Sequence, residues 1–251
     1  MGLKSLFSKQ GRHERAIQKA IAKAQNPKIK PDDRRPSLHL LAQEDSDDTT
    51  AGLLARLNFN YDTNMVSDEE EKQYVFEVLV ARGVSILSAL EVYLEKAPTL
   101  SWGLRILEEI CEPSAIFEVV AKVLARHEPG YERDPTRKQQ LLTFIGELGD
   151  ERASEALVPF LDDHDETVRF ICVEALFKLA NEEVSREPLL KLLIDEDEES
   201  LRIKNRIAEG MIETAWSARG YRGTVERMLA GMGGDYVLDG KGKIRKKKGR
   251  S

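Results

Sequence analysis

Two apolar, helix-like stretches recur every 31–33 residues along the second half of this chain, and few architectures accommodate that pattern. Lys138-Gln-Gln-Leu-Leu-Thr-Phe-Ile-Gly-Glu-Leu148 lays onto Arg169-Phe-Ile-Cys-Val-Glu-Ala-Leu-Phe-Lys-Leu179 at a shift of 31. The next copy starts at Arg202, shifted 33, with Ala175 matched by Ala208. Between these copies lie Ala156-Leu-Val-Pro-Phe-Leu161 and Pro188-Leu-Leu-Lys-Leu-Leu193, shifted 32. Two helices per period is the signature of an all-α solenoid. Leu141, Leu142, Phe144, Ile145 and Leu148 point to more than one side of their helix, so a single hairpin cannot cover them and stacking on neighbours must.

The same unit continues upstream with looser similarity, Ser88-Ala-Leu-Glu-Val-Tyr-Leu94 resembling Glu155-Ala-Leu-Val-Pro-Phe-Leu161. The pattern predicts five hairpins, with helices at 49–58/68–82, 85–97/100–111, 114–127/135–148, 151–161/166–180 and 184–194/199–215. Helices at 12–25 and 36–44 precede them and one at 221–231 closes the stack, all three as terminal caps. Ser67-Asp-Glu-Glu reads as a helix cap with acids in the first turn. Glu112-Pro113-Ser114 and Asp134-Pro135 put proline where a helix can begin but not continue. Gly83 and Gly149 sit where a left-handed C-terminal residue is expected. Two connections, Asn58–Val66 and Glu128–Arg133, are long for such a stack, and long ordered loops are more often functional than short ones. The organisation read from this is a basic amphipathic capping segment over 1–30, a repeat domain over 31–232, and a basic tail over 233–251 holding a small hairpin followed by disorder.

The net charge of −6 conceals an asymmetry: residues 1–35 carry +7, residues 240–251 carry +7, and the body from 36 to 239 carries −20. Such a body repels a duplex lying along it and favours a protein partner that is basic or carries a basic segment. No run of eighteen apolar residues predicts a membrane span, and no apolar leader precedes the first helix. Cys111 and Cys172 lie in apolar helical stretches and read as small buried hydrophobes, which fits a reducing cytoplasm.

Asp165-Glu-Thr-Val-Arg-Phe-Ile-Cys-Val-Glu-Ala-Leu-Phe-Lys-Leu179 resembles HEAT repeats of the phycobilisome-lyase-like type, where a turn acid precedes Val-Arg and then Ala-x-x-Ala-Leu-x-x-Leu. Cys172 stands for the first alanine, and Glu198, Leu201, Arg202 and Ala208 repeat the pattern loosely. Phe59-Asn-Tyr-Asp62, Ser101-Trp-Gly-Leu-Arg105, Gly130-Tyr-Glu-Arg-Asp-Pro135 and Arg206-Ile-Ala-Glu209 are similar to stretches of uncharacterised bacterial HEAT-repeat proteins. The resemblance implies a HEAT-like α-α superhelix whose second helices line the concave side. It brings no assigned activity.

The most regular polar feature is a series of acid–base pairs four apart at helix starts: Asp134/Lys138, Asp165/Arg169 and Glu198/Arg202. That spacing puts both groups on one helix face and predicts a structural ladder between repeats, with each base beside its own acid. Asp162-Asp-His-Asp-Glu166 lacks a second histidine, and Asp195-Glu-Asp-Glu-Glu-Ser200 lacks the glycine and spacing of an EF-hand, so both read as solvated turns and no metal or cofactor is expected. Asp239-Gly-Lys-Gly-Lys243 lacks the gap and hydroxyl of a phosphate loop and reads as a turn between Tyr236-Val-Leu and Lys243-Ile, in a small hairpin or an extended arm. Catalytic motifs are absent.

The function expected is therefore a non-catalytic, cytoplasmic protein–protein scaffold binding through its concave face and long loops. Candidate partner-binding residues are Trp102 and Arg105, Trp216 at the end of the last repeat, and Tyr61 and Tyr131 on the two loops, because aromatic and arginine side chains anchor interfaces. Two other readings stay open. One is a bilin-lyase-like enzyme, suggested only by the repeat type. The other is weak binding to nucleic acid through the 241–250 tail, or to an anionic surface through residues 1–25, where Leu3, Leu6 and Phe7 share a face flanked by lysines.

Overall fold

The computed structural model describes residues 9–61, 65–233 and 235–247. Among the described residues the fold is all-α apart from one small hairpin, and the chain divides into two compact units between Ile116 and Phe117. The first unit holds α1 (Lys9–Ala24), α2 (Pro31–Ala42), α3 (Asp47–Arg56), α4 (Met65–Arg82), α5 (Leu87–Lys96) and α6 (Ser101–Ile110). The division falls within α7 (Pro113–Leu124). The second unit continues with α8 (Thr136–Leu148), α9 (Ala153–Leu157), α10 (Glu166–Leu179), α11 (Glu182–Ile194), α12 (Leu201–Glu213), α13 (Arg222–Gly231) and the strands β1 (Tyr236–Leu238) and β2 (Ile244–Lys246).

Packing follows the alternation that a repeat demands. In the first unit α1, α3 and α5 lie side by side, α2, α4 and α6 lie side by side, and each hairpin joins the two layers. In the second unit α8, α10 and α12 form the second-helix layer, while α9, α11 and α13 belong to the first. Leu53, Leu79 and Leu90 are fully buried in the first unit; Leu142, Val168, Leu176, Leu189 and Ile207 are fully buried in the second. At about 25 cal/mol per Å² of apolar surface, these rows are what holds a stack of otherwise unstable hairpins together.

Side-chain caps start several helices. Ser46, Asp165, Asn181 and Ser200 accept the amides of Thr49, Val168, Val184 and Ile203 at 3.3, 2.9, 3.3 and 3.3 Å. Gly83 and Gly149 adopt φ of 62° and 70°, the left-handed conformation that ends a helix without Cβ strain. Ser67 does not cap: α4 begins at Met65, which places Ser67 in its first turn. The helix expected over 151–161 is also shorter. α9 ends at Leu157 and residues 158–162 tighten into a 3₁₀ turn, because Pro159 has no amide hydrogen and its ring opposes the carbonyl four residues back. Cys172 is fully buried, and that burial pushes its thiol up, whereas Cys111 ends α6 and is only half-buried.

The turn at Asp239 joins β1 and β2 in antiparallel register, with Tyr236 opposite Lys246 and Leu238 opposite Ile244. The Asp239 carboxylate accepts the amides of Lys241 and Lys243 at 2.8 and 3.0 Å, which closes the turn. β2 packs beside α12 and β1 on α13, with Tyr236 and Ile244 buried.

Glycines set the closest helix approaches. A Cβ on Gly146 would stand 2.5 Å from that of Ala175, and one on Gly210 would collide with the ring of Phe177. Gly210→Ala will therefore destabilise by about 1–3 kcal/mol through overpacking. A urea titration checks this, and the near-ultraviolet signal of Trp216, whose ring lies 5.6 Å from Phe177, will change with it.

Candidate interaction surface

The polar groups that matter most in the first unit are buried. Arg34 on α2 and Arg56 at the end of α3 are fully buried, and both donate to one carboxylate oxygen of Glu71 on α4, at 2.6 and 2.9 Å. Arg56 also reaches Asp68 at 2.5 Å and the carbonyl of Phe59 at 3.0 Å. Lys72 bonds Asp68 at 2.7 Å and the side chain of Asn60. Both guanidiniums lie against the ring of Phe59, at 5.0 and 4.7 Å. Burial raises the Asp68 carboxyl, but hydrogen bonds from Lys72 and Arg56 outweigh it and hold the group below the usual range. This network folds the start of the long connection after α3 onto α4. Tyr61, half-exposed, is tied to it through its amide, which donates to Asp68 at 2.9 Å.

The second unit clamps its long connection by the same principle. Lys138, in the first turn of α8, is fully buried and donates to Asp163 at 2.7 Å and to the carbonyls of Glu128 and Gly130 at 3.1 and 3.2 Å. Gly130 donates its amide to the same Asp163 oxygen at 3.0 Å. Tyr131, 80% exposed, is thereby displayed on a pinned loop.

The ladder residues are placed differently from the expected four-residue pairs. Asp134 accepts the amide of Thr136 at 3.1 Å, and Asp165 is occupied by capping α10 and by Gln139 at 3.0 Å. With the acids at helix starts engaged by backbone amides, the bases reach to the following repeat. Lys138 takes Asp163, and Arg169 takes Glu198 in a two-point bond of 2.7 and 3.1 Å. Burial raises the Glu198 carboxyl, but Arg169 and the Ser200 amide outweigh it and lower it. Arg202 has turned away from Glu198 and stacks over Phe170, 3.6 Å from its centroid. Lys204, buried, takes the Asp195 carbonyl at 3.0 Å instead.

Both tryptophans are core residues, so neither ring stands free as a surface anchor. Trp102 lies 5.9 Å from Phe76 and is covered by Arg105, whose guanidinium is 4.4 Å above it. Arg105 is the exposed member of that pair. Trp216 is buried against Phe177.

The basic ends are partly committed as well. Lys246 pairs with Glu209 at 2.9 Å and Arg245 with Asp239 at 3.2 Å. In α1 the buried side, Ile17, Ala20 and Ala24, faces α2 and α3. Leu3, Leu6, Phe7 and residues 248–251 lie outside the described residues. Among the described residues no three histidine, cysteine or acidic side chains gather as a metal set, and no helix is long and apolar enough to cross a membrane.

What the second unit does present is a groove of about 480 Å³ across its second-helix layer. Gly146, Ala175, Phe170, Ile171 and Phe177 make its floor, and Thr143, Glu147, Glu174, Lys178, Arg206 and Glu213 its rim. Arg206 bonds Glu174, bonds Glu213 at 3.2 Å, and lies 5.3 Å from the Phe177 centroid. Sequence reading missed this groove and the Arg34–Arg56–Glu71 network. The one available signal for the network was the i, i+3 and i, i+4 clustering of Asp68, Glu71 and Lys72 on one face of α4.

The period has a counterpart among known families. Residues 131–208 match HEAT repeats. That stretch is similar to HEAT repeats over about a third of the chain, and the groove's lining residues come from α8, α10 and α12, which lie in it or run on from it. No curated protein and no solved structure matches the chain.

Proposed function

We propose that the protein is a non-catalytic scaffold that holds another protein against the second-helix face of its second unit, with the Tyr131 loop as a further contact. The groove carries this reading: it is concave, has an apolar floor with a few polar groups at its rim, and belongs to a repeat type that commonly serves protein–protein interaction. Tyr131 supports it, because an aromatic side chain held on a fixed loop loses little freedom on binding. Cytoplasmic placement fits two free cysteines and stays part of the proposal. The bilin-lyase reading draws support only from the repeat type, and the tail's pairing to Glu209 and Asp239 counts against a free nucleic-acid arm.

A photo-crosslinking residue at Thr143 tests the reading in cells, with one at exposed Val92 in the first unit as control. A discrete protein adduct from Thr143, absent from Val92 and lost on Tyr131→Ala or Glu147→Lys, is expected. Adducts that ignore both substitutions would reject it.

A further inference from the structure

Resting on the docking reading above, we infer that the groove takes a polypeptide segment in which an arginine or lysine stands beside an apolar residue, and that it rejects acidic segments. One exposed carboxylate rises at the rim from each of three helices: Glu147 from α8, Glu174 from α10 and Glu213 from α12. Of the lining residues only Lys178 and Arg206 are cations, one fewer than the carboxylates, and Arg202 stands beside them over Phe170. Arg206 is already neutralised by Glu174 and Glu213, and it shows how this surface seats a guanidinium: a carboxylate on either side and an aromatic ring beneath.

The wider field has the same sign. The turns at 162–166 and 195–199 of this unit are acidic, and residues 36–239 carry −20. Such a field draws a cationic segment in and raises the cost of an acidic one. Charge alone would bind any cation, and the floor adds the second requirement. Ile171 is half-buried, and Phe170 is half-buried beneath Arg202, so part of the apolar floor is left for a neighbouring apolar side chain to cover. A volume of about 480 Å³ suits a few side chains of a segment.

The test uses the full chain and three labelled hexapeptides: alternating leucine and arginine, alternating leucine and glutamate, and alternating glycine and arginine. Fluorescence anisotropy reads affinity, and amide shifts locate the site. The leucine–arginine peptide is expected to bind and to shift Thr143, Glu147, Ile171 and Glu174. Glu147→Lys with Glu174→Lys should weaken it about tenfold, Lys178→Glu should tighten it about threefold, and the glycine–arginine peptide should bind about tenfold more weakly. Because Glu174→Lys also frees Arg206, Glu147→Lys alone is measured beside it and must weaken binding in the same direction. Equal binding of the two arginine peptides would overturn the inference by placing the affinity in the acidic field alone. Preference for the leucine–glutamate peptide, with shifts still in the groove, would overturn the charge assignment and leave the docking reading standing. No groove shifts with any peptide, together with no adduct from Thr143, would remove both.

Discussion

Glu71→Leu will lower the stability of the first unit by about 3–5 kcal/mol, the cost of removing one partner from a buried ionic cluster. One Glu71 oxygen receives both Arg34 and Arg56, and both guanidiniums are fully buried, so neither can turn to water when it is lost. Arg34 would keep the carbonyls of Asn26 and Ile29, and Arg56 would keep Asp68 and the carbonyl of Phe59. Two positive charges would then face a leucine side chain a few ångströms apart. Trp102 lies in the first unit and Trp216 in the second, so a Trp216→Phe background lets Trp102 fluorescence report urea unfolding of the first unit alone. A loss below about 1 kcal/mol would show that water reaches the cluster and takes the place of the carboxylate.

The Lys138–Asp163 pair will behave as a coupled unit. Asp163→Leu alone leaves a buried ammonium and Lys138→Met alone leaves a buried carboxylate, each costing about 3–5 kcal/mol. The double variant removes both charges and replaces them with apolar side chains, so most of that loss should return and the cycle should show a coupling of at least about 4 kcal/mol. Recovery will be incomplete, since the Gly130 amide and the Glu128 and Gly130 carbonyls lose their partners. Hydrogen exchange at 128–133 should rise even where global stability is restored, and binding that depends on Tyr131 should fall with it. Additive single effects would show that the two charges do not depend on each other.

The helices were legible because a stack of hairpins writes its core twice per period, and Leu142, Val168, Leu176 and Ile207 occupy the predicted apolar rows. The hairpin at Asp239 was legible from its turn chemistry. The partnerships of the charged residues were not. Lys138 sits four residues after Asp134, yet it bonds an acid 25 residues away, because backbone amides at the helix start compete for the nearer carboxylate. Arg34, Arg56 and Glu71 come from three helices, and only the tertiary fold brings them together. The groove was hidden for a related reason. It depends on what Gly146 and Ala175 leave out, and in sequence a small residue at a helix contact looks like any other.

The glycine contacts also have a mechanical consequence. In the second unit α8 and α10 touch at Gly146 and Ala175, and α12 meets Phe177 at Gly210, so the second-helix layer is packed at the limit of hard-sphere approach. The opposite layer contains the five-residue α9 and the 3₁₀ turn at 158–162, with fewer α-helical hydrogen bonds to resist extension. A load that flexes this unit therefore strains the first-helix layer and leaves the second nearly rigid. The side that carries the groove is the stiff side of the spring, and a segment bound there keeps its footing while the rest of the unit bends.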